Sequence, residues 1–194
     1  MVSKGLNSIL AGALCALTSV AVAVPGASQV ASQLSRPMQD IVNYAKSHSN
    51  SSSVMVAVSS GTSSRYNSKL KDFRIFVDES GLVVSRKGQN GYSMVCDKNK
   101  DGMFDVYAKF PGKMSDSEEE SVMASLCDTD SIERTFEDER TLGLRDPKML
   151  YKRTGTDAIK YDFSSSAMET VGASTFQKDY MNILTLIRKS IRER

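Results

Sequence analysis

Between Val54 and Phe110 the chain switches repeatedly from short apolar or alternating runs to turn residues, and this punctuation limits what it can fold into more than any other feature. Val54-Met55-Val56-Ala57-Val58 is an unbroken apolar run, whereas Phe73, Ile75 and Val77 are interleaved with Arg74 and Phe76. Leu82-Val83-Val84 follows the turn signal Glu79-Ser80-Gly81, and Tyr92-Ser93-Met94-Val95-Cys96 follows Gln89-Asn90-Gly91. Farther on, Phe104, Val106, Ala108 and Phe110 alternate with Asp105, Tyr107 and Lys109 until Pro111-Gly112 stops the run. Alternation places successive side chains on opposite faces of a strand, and Asn-Gly or Ser-Gly between such runs favours tight hairpins. The expected fold is therefore α+β: an antiparallel β-meander over roughly residues 54–110, packed with an N-terminal helix and C-terminal helices.

The helical expectations flank that meander. Ser28 to Ser47 carries Val30, Leu34, Ile41, Val42, Tyr44 and Ala45 near helical spacing, with Pro37 expected to break or kink it. Ser47 to Ser53 and Gly61 to Lys69 read as serine-rich loops. After Gly112, Ser115 precedes Asp116, Glu118, Glu119 and Glu120 and then Val122, Met123 and Leu126, which predicts a capped helix whose acids favour the positive end of its dipole. Asp130 to Gly143 reads as a short helix and turn, and Tyr151 to Phe163 as a short strand or extended segment. Phe176, Tyr180, Ile183, Leu184, Ile187 and Ile191 recur at three- and four-residue steps, the pattern of an amphipathic helix, and Arg188, Lys189, Arg192 and Arg194 complement its C-terminal end. Such a face packs on the domain's own sheet, or else serves a partner or a membrane surface. No repeat of 20 to 50 residues is visible, which argues against a propeller or solenoid.

The 194 residues suffice for one ordinary domain, and a formal charge of +2 gives no bulk reason to expect nucleic acid. Lys4 precedes an uncharged stretch from Gly5 to Val24 that closes on Ala21-Val22-Ala23, so residues 1–23 read as a secretory signal peptide, or as an uncleaved anchor, and residues 24–194 as a single domain. Any membrane contact is expected through that segment alone. Export fits the cysteines: removing the leader takes Cys15 and leaves Cys96 and Cys127, which can form one disulfide closing a loop of about 30 residues and contributing about 3–4 kcal/mol on the chain-entropy model. Periplasmic or extracellular location follows as the expectation.

Asp97-Lys98-Asn99-Lys100-Asp101-Gly102-Met103-Phe104-Asp105 sets oxygen-bearing side chains at alternate positions, then a glycine, then another carboxylate. Hard divalent cations take oxygen ligands, and a glycine allows the sharp bend that turns alternate side chains inward. The stretch resembles the D-x-[DN]-x-D-G-x-x-D type of calcium loop, an EF-hand-like ligand pattern found also in strand-connecting loops of integrin-type propellers. The resemblance covers nine residues and implies calcium held by Asp97, Asn99, Asp101, the Met103 carbonyl and Asp105. Ala108 stands where an EF-hand has its closing glutamate, and strand-like rather than helical sequence flanks the loop, so the hairpin version closed by Asp105 is the one expected. A polar turn holding no ion accounts for the same residue types. A Cys96–Cys127 link would also bring Asp128 and Asp130 near the loop.

Catalytic signals are few. His48, the single histidine, lies in a serine-rich stretch, and no G-x-S-x-G, Walker, G-x-G-x-x-G or C-x-x-C pattern occurs. The expectation is an exported non-enzymatic protein with a structural calcium loop, acting as an envelope or secreted module toward a protein or glycan partner. The alternatives are a metal-dependent hydrolase of the envelope and an assembly subunit using the C-terminal helix.

Overall fold

The computed structural model describes residues 36–49, 54–58, 61–79, 81–127 and 146–194. The leader, the first part of the N-terminal helix, the serine run 50–53, Asp128, Asp130 and the segment expected as a short helix and turn lie outside the described residues. The compact unit considered below runs from Leu34 to Arg194.

Among the described residues, nine strands form one antiparallel sheet in strict sequence order. They are β1 (Val54–Val58), β2 (Gly61–Leu70), β3 (Phe73–Asp78), β4 (Gly81–Lys87), β5 (Gly91–Asp97), β6 (Val106–Pro111), β7 (Met149–Thr154), β8 (Asp157–Asp162) and β9 (Ala167–Gly172). Three helices accompany them among the described residues: α1 (Arg36–Ser47), α2 (Asp116–Ser125) and α3 (Ser174–Arg192). The architecture is α+β, as the alternating runs require.

Two expectations need correction. Gly61 to Lys69 is not a loop: it is most of β2, paired with β1 through Arg65↔Val54 and with β3 through Tyr66↔Val77 and Leu70↔Phe73. Its first half, Gly61 to Arg65, pairs with β1 and its second half, Tyr66 to Leu70, with β3, and Ser68 and Leu70 are fully buried, so tertiary context outweighs the turn-forming preference of serine. Pro37 lies in the first turn of α1 as described, a position where proline is tolerated, and the part of the expected helix before Arg36 lies outside the described residues. The meander also runs well past Phe110. Met149–Thr154, Asp157–Asp162 and Ala167–Gly172 add three strands, the last exposed along nearly its whole length and so without an apolar alternation to read.

The centre of the sheet is covered on both faces. Ile75, Val77, Leu82, Val84 and Val95 pack with Met38, Ile41 and Ala45 of α1 and with Tyr180, Ile183, Leu184 and Ile187 of α3. Phe76, Val83, Met94, Cys96, Val106 and Phe110 pack with Val122, Met123 and Leu126 at α2 on the other face. Burying each such aliphatic side chain contributes about 1.5–3 kcal/mol. Two covers explain why β3 and β4 are buried at consecutive positions rather than alternate ones.

Ser115 caps α2 through a reciprocal box with Glu118, as its sequence position suggests. The neighbouring acids do more than complement the helix dipole. Arg74, 2% exposed, donates from Nε to Glu119 Oε2 at 2.9 Å and bonds Glu120 Oε1 through Nη1, while its Nη2 lies 2.9 Å from Asp116 Oδ1. Ser85 Oγ of β4 donates to Glu119 Oε1 at 2.5 Å. A buried guanidinium on the sheet is thus neutralised by the first turns of α2. The far end of α2 is held by Cys96 and Cys127, whose sulfurs lie at bonding distance with Cα atoms 5.6 Å apart.

Arg74→Ala should lower the unfolding free energy in urea by about 3–5 kcal/mol, because it strands the Glu119 carboxylate. Reduction of the cystine should cost about 3–4 kcal/mol in the same assay.

Candidate functional site

Asp97 is the last residue of β5 and Asp105 immediately precedes β6, so the acidic loop joins two neighbouring strands, as expected. Its ends are closed by the backbone: Asp105 N–H donates to Cys96 O at 2.8 Å and Arg153 N–H donates to Asp105 O at 2.9 Å. Gly102 has φ of +88°, a conformation that L side chains rarely adopt, which is the bend the motif calls for.

Asp97 is the anchor of the loop and is fully buried. Its Oδ2 accepts from Tyr180 Oη at 2.9 Å and from Gly102 N–H at 2.9 Å, and its Oδ1 accepts from Asp101 N–H at 3.2 Å. Burial pushes the Asp97 carboxyl up to about 6; the Tyr180 and Gly102 hydrogen bonds pull it down, and the neighbouring charges of Asp101 and Asp105 raise it further. Tyr180 responds in kind, its hydroxyl driven well above the ordinary phenol range by burial and by the adjoining Asp97 carboxylate.

The remaining oxygens are turned onto the loop's own amides. Asp101 Oδ1 accepts from Met103 N–H at 2.7 Å and Asp101 Oδ2 from Asn99 Nδ2 at 2.9 Å. Asn99 Oδ1 accepts from Asp101 N–H at 3.3 Å, and Asp105 Oδ2 accepts from Lys98 N–H at 2.6 Å. Asp97, Asn99, Asp101, Met103 and Asp105 therefore share one loop, but no group of three or more His, Cys, Asp or Glu side chains is arranged as a metal cage among the described residues. Met103 is exposed at 44%, whereas Phe104 is fully buried and meets Tyr107 and Phe176 edge-on with centroids 6.4 and 6.3 Å away. The loop is thus pinned by Phe104 on one side of its exposed tip and by Asp97 on the other.

Two residues of α3 complete the site, and neither was singled out from the sequence as part of it. Gln177 Nε2 donates to Gly102 O at 2.8 Å while Gln177 Oε1 accepts from Phe104 N–H at 3.2 Å and from Arg153 Nη1 at 3.1 Å. A glutamine bordering an apolar helix face carries no signal of this use. Tyr180 did carry one, since a tyrosine on a buried stripe needs a partner for its hydroxyl. The turn between β3 and β4 supports the loop from a third direction: a Cβ on Gly81 would stand 2.8 Å from Asp97 O, so only glycine fits there without displacement. From the same turn, Glu79 O accepts from Lys100 Nζ at 3.2 Å. Burial holds the Lys100 amine below its usual range, opposed by the charges of Asp78 and Asp97.

His48 takes no part in this region. Its ring stacks on Tyr44 with centroids 4.2 Å apart, and Ser47 Oγ lies 2.9 Å from its Nδ1. No carboxylate completes a relay with that pair among its described hydrogen bonds.

No protein-family model, curated protein sequence or solved structure matches this chain.

Tyr180→Phe removes a donor from a buried carboxylate and should destabilise the fold by about 1–3 kcal/mol in chemical denaturation. The pH dependence has a definite sign. Asp97 holds its proton more tightly when folded than its ordinary 3.8, so in chelator its contribution is fully present below about pH 4 and is lost as pH rises toward about 6. Thermal unfolding in chelator should show Asp97→Asn flattening that segment of the stability curve relative to wild type.

Proposed function

We propose that this chain is an exported, non-enzymatic binding or interaction protein of an envelope or extracellular space, in which the 97–105 loop takes a calcium ion as a structural element. The observation that carries the reading is the buried Asp97 carboxyl, raised to about 6 by burial and further by the charges of Asp101 and Asp105, at the point where the loop is fastened to α3. A cation relieves that excess of negative charge, and every ligand atom assigned to it in the loop is oxygen, the chemistry a hard cation selects. Asp97, Asn99, Asp101 and Asp105 would hold the ion through side chains and Met103 through its carbonyl. The bound ion would supply charge neutralisation and fix the loop's order, while Gln177 and Tyr180 transmit that order to α3 by the hydrogen bonds they already make.

Export is supported by the cysteine pair at bonding distance, a feature suited to oxidising compartments. Among the described residues no helix is long and apolar enough to cross a membrane. A non-enzymatic role is supported by the site's construction. Its carboxylates are engaged with backbone amides in a turn, and the residues beside them, Gln177 and Tyr180, act as fasteners.

Isothermal titration of chelator-treated protein with calcium should give one site with Kd of about 10⁻⁴ to 10⁻³ M. Calcium at a hundredfold excess over Kd should add about 2.7 kcal/mol to stability. Asp101→Ala, at an exposed position, should keep the fold and abolish the heat. Absence of heat in the wild type would sink the calcium reading.

A further inference from the structure

We propose that the concavity between the β4–β5 hairpin and the start of β7 binds a phosphate or sulfate group carried on a small molecule. This goes beyond the calcium reading and stands without it. The cavity measures about 360 Å³ and is lined by Arg86, Asn90, Ser93, Lys109 and Lys148 among others, and no acid is among the described residues that line it. That volume falls at the small end of ligand sites, with room for a single phosphorylated or sulfated sugar.

Sheet register brings the charges together. Arg86 is directly opposite Ser93, and Ser93 directly opposite Lys109, so the three side chains form one row across β4, β5 and β6 on a single face. Adjacent strands are about 4.8 Å apart, which sets the two cations roughly 10 Å apart at their backbones with a hydroxyl between them. Met149 takes the position opposite Lys109 in this row, and Lys148, the residue before it, borders the cavity, its N–H donating to Lys109 O at 2.8 Å. Asn90, exposed in the hairpin, adds an amide that suits a hydroxyl of the carrier.

Several of the described cations are ion-paired. Arg65, Lys69, Lys71, Arg74, Lys160 and Arg188 each lie against a carboxylate. Arg86, Lys109 and Lys148 form no such pair among the described residues; Lys109 Nζ rests 5.9 Å from the centre of the Tyr107 ring instead. Arg86 and Lys109 flank Ser93 from the strands on either side, so an anion seated over Ser93 is attracted by both charges. Arg86 offers a planar fork matched to two oxygens of one group, and the lysines offer point charges to the same group, so a dianion is favoured over a single carboxylate.

The test is an amide NMR titration of the full chain in chelator, at low ionic strength, with glucose 6-phosphate, inorganic phosphate, inorganic sulfate, glucuronate and glucose as probes. The phosphate-bearing or sulfate-bearing probes should shift the amides of residues 88–93 and 109 and saturate in the millimolar range, and whichever group saturates first identifies the preferred source. Glucuronate should bind at least tenfold more weakly and glucose not at all. The double variant Arg86→Gln with Lys109→Gln alters two exposed side chains and should lose at least tenfold in affinity with an unchanged melting temperature. Lys178→Gln with Lys189→Gln, which removes the same charge from α3, should bind like wild type. Equal loss in both double variants, binding of glucuronate as tight as that of glucose 6-phosphate, or shifts spread over all surface lysines would overturn the proposal.

Discussion

The buried carboxylate of Asp97 is the contact on which the arrangement of this domain turns. It ends β5, receives two amides from the loop that leads to β6, and accepts the hydroxyl of Tyr180 from α3, so a strand end, the loop that follows it and a helix residue 83 positions away meet on one side chain. A buried carboxyl is costly when charged, and its elevated affinity for a proton measures how incompletely its three partners offset that cost. The proposed calcium ion is the complement this arrangement asks for: it would add positive charge at a position where hydrogen bonds alone leave the anion under-stabilised.

The two faces of the sheet are secured by different means. On one face the helix α3 and its neighbour α1 supply apolar cover, and the polar contacts of Gln177 and Tyr180 fix where α3 sits relative to the loop. On the other face the short helix α2 has little apolar stripe of its own, with Glu119, Val122 and Met123 buried, and it is held at its start by the Arg74 ion cluster and at its end by the cystine. Ion pairs buried in this way specify position more than they add stability, since the desolvation of each charge offsets much of the attraction. A small helix clipped at both ends is one physical answer to a cover too short to be held by apolar area alone.

Much of this was legible in the residues, and the gaps have identifiable causes. The alternation of Phe73 to Val77, the turn at Asn90-Gly91 and the stripe from Phe176 to Ile191 each report a local period, and local periods survive into the fold. β2 was read as a loop because its serines signal turns, while the pairing that makes it a strand comes from β1 and β3. β9 has no buried face and therefore no pattern. For the candidate site, the positions of Asp97 to Asp105 in one strand-joining loop were readable from spacing. The partnership with Gln177 and Tyr180, more than seventy residues away, was not, because nothing in a single sequence relates a loop to one register of a distant helix.

The cationic row at Arg86, Ser93 and Lys109 belongs to the same lesson. Each residue alone is an ordinary surface position, and only the sheet register aligns them. The calcium account nevertheless rests on the other site, and its most direct test is the titration of Asp97 itself by carbon-13 NMR of the side-chain carboxyl. The account predicts a midpoint near 6 in chelator and a fall below the ordinary carboxylate range when calcium is added. An Asp97 that titrates near 3.8 in chelator, or one whose midpoint calcium leaves unchanged, would contradict it.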